Sequence, residues 1–284
     1  MSQIGFIGIG MMGKFMASRL LQAGHTLRIH TRTQSKAEVL LAQGAQWAAT
    51  PQQAAESADF VITMVGTPDD VRGLYFNGLL DATPQGATLI DMTTSSPRLA
   101  KEIAQAASDR GLGSLDAPVT GGPQGAESGK LIIMVGGDSN VFEGARGVLS
   151  IMGETLIHYG AAGQGQRAKL VNQTVGMLNM ISAIEGLFFA RKAGLDTDQM
   201  LEMLQAGLTD SKSLRGVGPR ALKGDFAPNF HPAHVVKDLS LAIEEAQDLE
   251  LDLPVLKAAR DRWLQLTQQH PQARAVHEVA RLYS

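Results

Sequence analysis

A short apolar run, Ile4-Gly5-Phe6-Ile7, leads directly into three glycines spaced as Gly8-Ile9-Gly10-Met11-Met12-Gly13. No other feature restricts the fold of this chain as strongly. In such a loop Gly8 permits the tight turn at the strand end, Gly10 lets a bulky anion approach the backbone, and Gly13 lets the next helix pack closely on the strand. Phe15, Met16, Leu20 and Leu21 then recur at helical spacing, and Gly24 supplies a stop, so a helix is expected over residues 13–23. The N–H groups and positive dipole end of that helix suit a phosphate. Gly8, Gly10, Met11, Met12 and Gly13 are therefore candidate contacts for the pyrophosphate of a dinucleotide. A methyltransferase or another nucleotide binder is the main alternative use of the same loop.

The rest of the first half repeats the pattern. Apolar strand runs are expected at residues 3–7, 26–30, 60–65, 88–92, 113–117 and 131–136. Strands this uniformly apolar, separated by helices, imply a parallel sheet covered on both faces, the doubly wound Rossmann arrangement. Beyond about Gly165 the pattern becomes helical, with helices expected near 168–193, 198–208, 232–249 and 253–267 and no strand. The fold class read from sequence is α/β: a dinucleotide-binding domain over 1–163, then an all-helical domain over 164–284, joined by a long interdomain helix. A helix so long and apolar needs cover from other helices or from a partner subunit.

Composition removes several classes of function. Cysteine is absent, which excludes disulfides, thiolate catalysis and Cys-ligated metals. The net charge of −3, with Lys and Arg scattered, gives no polyanion-binding signal, so no nucleic-acid partner is expected. No apolar run reaches the ~18–20 residues of a membrane span. With a strand starting almost at Met1, a signal peptide has no room, and a cytoplasmic protein is expected.

Three further segments can carry chemistry. An NAD site usually places an acid about 20 residues past the glycines, to hold the ribose 2′-hydroxyl. Here the chain reads His30-Thr31-Arg32-Thr33-Gln34-Ser35-Lys36, with no acid before Glu38. Arg32, Thr33 and Lys36 instead suit a 2′-phosphate, so NADP is expected as the preferred cofactor, with NAD possible. Asp116-Ala117-Pro118-Val119-Thr120-Gly121-Gly122-Pro123 follows a strand and offers consecutive glycine N–H groups and a hydroxyl for a substrate carboxylate. In Gly163-Gln164-Gly165-Gln166-Arg167-Ala168-Lys169-Leu170-Val171-Asn172-Gln173, Lys169, Asn172 and Gln173 share one helix face. An ammonium there can protonate an alkoxide as hydride arrives, while the amides orient it or the substrate. Burial or a nearby cation would bring the Lys pKa toward neutrality. His231 and His234 lack carboxylates at metal-ligand spacing, so no metal is expected.

Taken together, these segments resemble the β-hydroxyacid dehydrogenases, the group of 3-hydroxyisobutyrate dehydrogenase and tartronate semialdehyde reductase. The resemblance covers essentially the whole chain. Phe6-Ile7-Gly8-Ile9-Gly10-Met11-Met12-Gly13 looks like the family's first signature, Asp116 to Gly122 like its substrate loop, and Gly163 to Gln173 like its catalytic helix. Gly224-Asp225-Phe226-x-Pro228-x-Phe230 and Lys237-Asp238-Leu239 look like its C-terminal motif. The resemblance implies Lys169 as catalytic acid/base and Asn172, with Gln173, at the substrate. It also implies Thr120, Gly121 and Gly122 on the carboxylate, Thr94 by the nicotinamide, Val65 and Gly66 over the ribose, and Lys237 at the nicotinamide end. It further implies a small carboxylate-bearing substrate and a homodimer or homotetramer packed through the helical domain. Gln173 stands where many members carry Asn, and Gly66 where Pro is frequent. A non-catalytic dinucleotide binder and an imine-reducing enzyme on the same scaffold are the alternatives. Lys169 and Asn172 argue against both, because a pure binder has no need of them and the imine-reducing group generally lacks the lysine.

Overall fold

A computed structural model describes residues 1–283 and divides the chain into two compact units, Met1–Lys169 and Leu170–Ser284. The first holds nine strands: β1 (Gln3–Ile7), β2 (Thr26–His30), β3 (Gln46–Trp47), β4 (Phe60–Thr63), β5 (Thr88–Asp91), β6 (Gly113–Asp116), β7 (Val119–Thr120), β8 (Leu131–Gly137) and β9 (Gly153–His158). They form one sheet in the order β3-β2-β1-β4-β5-β6-β8-β7, with β9 paired to β8. The first six follow the 3-2-1-4-5-6 order of doubly wound folds, all parallel. Alternate residues face opposite sides, and both sides are buried. Phe6, Ile62, Ile90 and Leu115 enter one core, while Ile7, Val61 and Leu89 enter the other.

The far end of the sheet departs from the all-parallel expectation. β8 runs antiparallel to β6 and β7. Only a short helix, Gly122–Ser128, lies between β7 and β8, too little chain for a parallel crossover. Three strands escaped the sequence pattern. β3 and β7 are two residues each, and β9 is an edge strand of mixed burial whose polar residues blur its alternation.

The second unit is helical among its described residues. It comprises most of the helix Gln164–Lys192, then Thr197–Ala206, Lys212–Lys223, Pro232–Asp248 and Pro254–Gln269, and a 3₁₀ segment Val276–Tyr283. Trp263 is fully buried among Val235, Leu239, Leu256 and Leu266, and its indole N–H donates to the Val276 carbonyl at 2.9 Å. That bond anchors the C-terminal segment to the helices. The helix Lys212–Lys223 was not anticipated. Gly216-Val217-Gly218-Pro219 reads as a breaker, yet Ser211 caps the helix and its face of Leu214, Val217 and Ala221 is buried. Tertiary burial here overrides local preference.

Candidate active site

Strand register builds the site in the first unit. Ile7 of β1 pairs with Thr63 of β4, Thr63 with Asp91 of β5, and Asp91 with Asp116 of β6. One row thus crosses the carboxyl ends of four parallel strands, the edge where doubly wound sheets bind ligands. Two of its members are buried carboxylates.

At the β1 end, Gly8 has φ +105°, and a Cβ on it would lie 2.2 Å from the Met64 carbonyl oxygen. A Cβ on Gly13 would lie 2.0 Å from the Gly8 carbonyl oxygen, whereas one on Gly10 would meet nothing within 4 Å. Gly8 and Gly13 are therefore required by the turn and the helix packing, and Gly10 leaves open space. Met12 caps the helix Gly13–Gln22 with no side-chain bond, so no protein side chain competes for those N–H groups. The residues present fit a dinucleotide pyrophosphate. At the end of β2, Arg32, Thr33 and Lys36 are all exposed. Arg32 lies 3.3 Å from Asp70, a surface pair of little energetic weight that a phosphate can displace.

Behind β4 and β5 lies a buried polar chain. Thr63 Oγ1 donates to Asp91 Oδ1 at 2.8 Å, and the Tyr75 hydroxyl lies 3.1 Å from Thr63 Oγ1, which orients Tyr75 as the donor of that pair. Burial, and secondly the Asp91 charge, holds the Tyr75 phenol well above its usual range. Asp91 also accepts from the Thr93 N–H at 3.1 Å, and Thr93 Oγ1 accepts from the Val65 N–H at 3.0 Å. The loop holding Val65 and Gly66 is thereby tied to the one holding Thr94.

Asp116 does the same for the start of the helix Gln164–Lys192. Its Oδ1 accepts from the Gly163 N–H and its Oδ2 from the Gln166 N–H, each at 2.8 Å. Burial pushes its carboxyl up to about 6; the two backbone bonds oppose that shift, and the nearby Asp91 charge adds to it. A Cβ on Gly165 would lie 2.5 Å from both the Asp116 and Met134 carbonyl oxygens, so this turn presses directly on β6 and β8. Lys169, one turn on, is buried, at 6% exposure. Thr120 is half-buried at the end of β7, followed by the exposed Gly121 and Gly122 at φ +128° and +64°.

In the second unit, Gln173 Nε2 donates to Asp238 Oδ2 at 2.7 Å, and Lys237 Nζ lies 3.0 Å from Asp238 Oδ1. The geometry of that second contact is not that of a hydrogen bond, so Lys237 meets the buried carboxylate as an ion pair. Asn172 is half-buried on the same helix as Lys169 and Gln173. The roles of Asp91, Gln166 and Asp238 escaped the sequence reading. Their one signal was a lone acid closing an apolar strand, or an amide beside the motif residues. Among the described residues, no group of three His, Asp or Glu side chains could hold a metal ion, and no helix is long and apolar enough to cross a membrane.

A 3-2-1-4-5-6 sheet with this glycine loop, followed by a helical unit, defines an oxidoreductase-type dinucleotide-binding protein. Two family models cover nearly all of the chain: the NAD binding domain of 6-phosphogluconate dehydrogenase over residues 3–160, and the model described as NAD-binding of NADP-dependent 3-hydroxyisobutyrate dehydrogenase over 163–283. The chain is 43% identical to an uncharacterized oxidoreductase, YkwC, of Bacillus subtilis over 99% of its length and 98% of the relative's. It is 39% identical to the 2-hydroxy-3-oxopropionate reductase of Escherichia coli, covering 89% of this chain and 87% of that protein. The 3-hydroxyisobutyrate dehydrogenase of Mycobacterium tuberculosis, solved with L-serine, superposes with a TM-score of 0.91 at 31% identity, covering 99% of both chains. The protein belongs to the 3-hydroxyisobutyrate dehydrogenase-like family of NAD(P)-dependent oxidoreductases.

Proposed function

We infer that the protein interconverts a small β-hydroxy acid and its semialdehyde with NADP(H), in the cytoplasm, and that Lys169 is its general acid/base. The observation that carries this reading is a lysine buried to 6% exposure on a helix whose first turn is bonded to Asp116 at the ligand-binding edge of the sheet. A bound nicotinamide supplies or accepts the hydride. Lys169 donates the proton to the oxygen of the same carbon, and takes it back in the reverse direction. Asn172 and Gln173 continue that helix face and orient the oxygen. Thr120, Gly121 and Gly122 hold the substrate carboxylate, supported by the exposure of the two glycines at the start of the helix Gly122–Ser128, which no side chain caps. Gly8, Gly10, Met11, Met12 and Gly13 hold the pyrophosphate. Val65, Gly66, Thr94 and Lys237 hold the ribose and nicotinamide, and Arg32, Thr33 and Lys36 the 2′-phosphate.

With its carboxylate in the glycine loop and its carbonyl at Lys169, the substrate is a compact acid with only a few bonds between the two groups. Semialdehydes related to 3-hydroxyisobutyrate, tartronate semialdehyde and succinic semialdehyde are the expected substrates. The test follows NADPH oxidation with each acid and with its amide. The acids should lead clearly in kcat/KM, since an amide gives up the charge-assisted hydrogen bonds that a carboxylate accepts from the loop. Equal efficiency with the amides rules out a carboxylate-anchoring loop.

A second copy of this chain completes the assembly, as a homodimer or a homotetramer, through the helical unit. Val171, Val175 and Phe189 lie on one face of the long helix at 64%, 56% and 76% exposure, and the helix Thr197–Ala206 has no buried residue at all.

A further inference from the structure

We propose that the Gln166 side chain is a positioning residue that holds the Thr94 loop and the first turn of the Lys169 helix in one fixed arrangement. The proposal deepens the reading above and rests on its assignment of Lys169 and Thr94. Gln166 is completely buried. Its Nε2 donates to the Thr93 carbonyl at 2.8 Å, and its Oε1 accepts from the Ser95 N–H at 2.9 Å. Its own backbone N–H donates to Asp116 at 2.8 Å. One residue therefore joins the ends of β5 and β6 to the helix, three positions before Lys169.

The two amide bonds have a particular form. A carbonyl at residue 93 and an N–H at residue 95 are the groups that a peptide of an adjacent strand would engage around residue 94. β5 ends at Asp91, so beyond it these groups have lost the ladder. The Gln166 amide replaces the missing neighbour and brackets Thr94 from both sides. Filling the volume does not require an amide. A Met of similar length would fill it without desolvating two polar atoms, a cost recovered only because both bonds are made. What the amide adds is a fixed distance between the Thr94 backbone and the turn that carries Lys169. Misplacement of reacting groups by about 1 Å can cost on the order of 10²-fold in rate.

The test uses the full-length protein with NADPH and its best semialdehyde. Gln166→Met should fold, bind NADPH within about threefold of wild type, and lose roughly 10–100-fold in kcat, with a larger isotope effect from 4-deuterated NADPH. Gln166→Glu sharpens the test. Its ionised form can accept from Ser95 but cannot donate to Thr93, whereas its protonated form can do both. The ratio of its kcat to wild type should therefore rise as pH falls from about 8 to 5.5. A kcat for Gln166→Met within threefold of wild type overturns the proposal. So does a loss that merely tracks NADPH affinity or folded fraction, or a Gln166→Glu ratio flat with pH. If Gln166→Met does not fold, the Gln166→Glu ratio decides alone. Lys169→Ala separates the two levels. Near-normal turnover in that variant defeats the site reading itself, whereas an inactive Lys169→Ala beside a fully active Gln166→Met defeats only the positioning role.

Discussion

Both units bury carboxylates, but they differ in what those carboxylates hold and in how much apolar surface their helices leave exposed. In Met1–Lys169, Asp91 and Asp116 lie side by side at one edge of the sheet, Asp91 accepting from the Thr63 hydroxyl and the Thr93 N–H, and Asp116 from the Gly163 and Gln166 N–H groups. In Leu170–Ser284, large apolar side chains are left outside, at Val171, Val175, Phe189, Met203 and Leu208. Buried polar groups are costly unless fully bonded, so a sheet edge that contains them is held in one arrangement. Exposed apolar groups contribute nothing until something covers them. Substitutions in the two units should therefore affect different observables.

The largest effect is expected at Lys169, the last residue of the first unit. Lys169→Ala should fold, keep its NADPH affinity and lose about 10²–10⁴-fold in turnover, as removal of a general acid does. Stopped-flow binding beside steady-state assays checks both halves. Near-normal turnover would remove Lys169 from the mechanism.

Association should fail without chemistry failing first. Phe189, at 76% exposure, sits on the apolar stripe of the long helix, and Phe189→Asp puts a charge there. A central interface residue is worth about 2 kcal/mol or more, so the subunit Kd should rise about 30-fold or more. Sedimentation velocity across a dilution series, with NADPH affinity measured in parallel, reads it. An unchanged assembly would place the interface elsewhere.

A smaller effect is expected at the rim of the first unit. Arg32→Asp replaces an exposed guanidinium with a carboxylate at the proposed 2′-phosphate site, and a charged hydrogen bond contributes about 1.5–3 kcal/mol. NADPH binding should weaken roughly 10–100-fold and NADH binding hardly at all. Equal weakening of both, or tighter NADH binding by wild type, contradicts a 2′-phosphate site.

The smallest effect concerns Asp116. Burial raises its folded pKa from 3.8 to about 6, so between those values the folded protein holds a proton that the unfolded chain has released. Its contribution to stability is greatest below pH 4, is lost as pH rises toward 6, and is level above that. Asp116→Asn has no such titration, and its thermal midpoint relative to wild type should rise as pH goes from about 4 to 6, then level off. Calorimetry at several pH values checks the sign, and a difference independent of pH would show that Asp116 titrates normally.

Spacing along the chain determined a good deal. The strand, the three glycines and the apolar helix from Gln3 to Gln22 specify a dinucleotide loop, because turn, anion approach and close packing each demand glycine at a fixed position. The mostly apolar strands specify a doubly wound sheet, because both faces must be covered. The face shared by Lys169, Asn172 and Gln173 follows from helical geometry alone. What stayed hidden depends on residues far apart in sequence. Gln166 looks like an ordinary first-turn residue until the fold brings Ser95, 71 positions earlier and just beyond β5, against its amide. Asp91 and Asp116 look like strand-closing acids until pairing sets them side by side. The helix Lys212–Lys223 contains Pro219 and forms because its neighbours bury one face. β8 reverses direction because the chain between it and β7 is too short to cross over. Local periodicity is written in neighbouring residues, whereas the partner of a buried polar group is chosen by the sheet, and only the folded chain brings the two together.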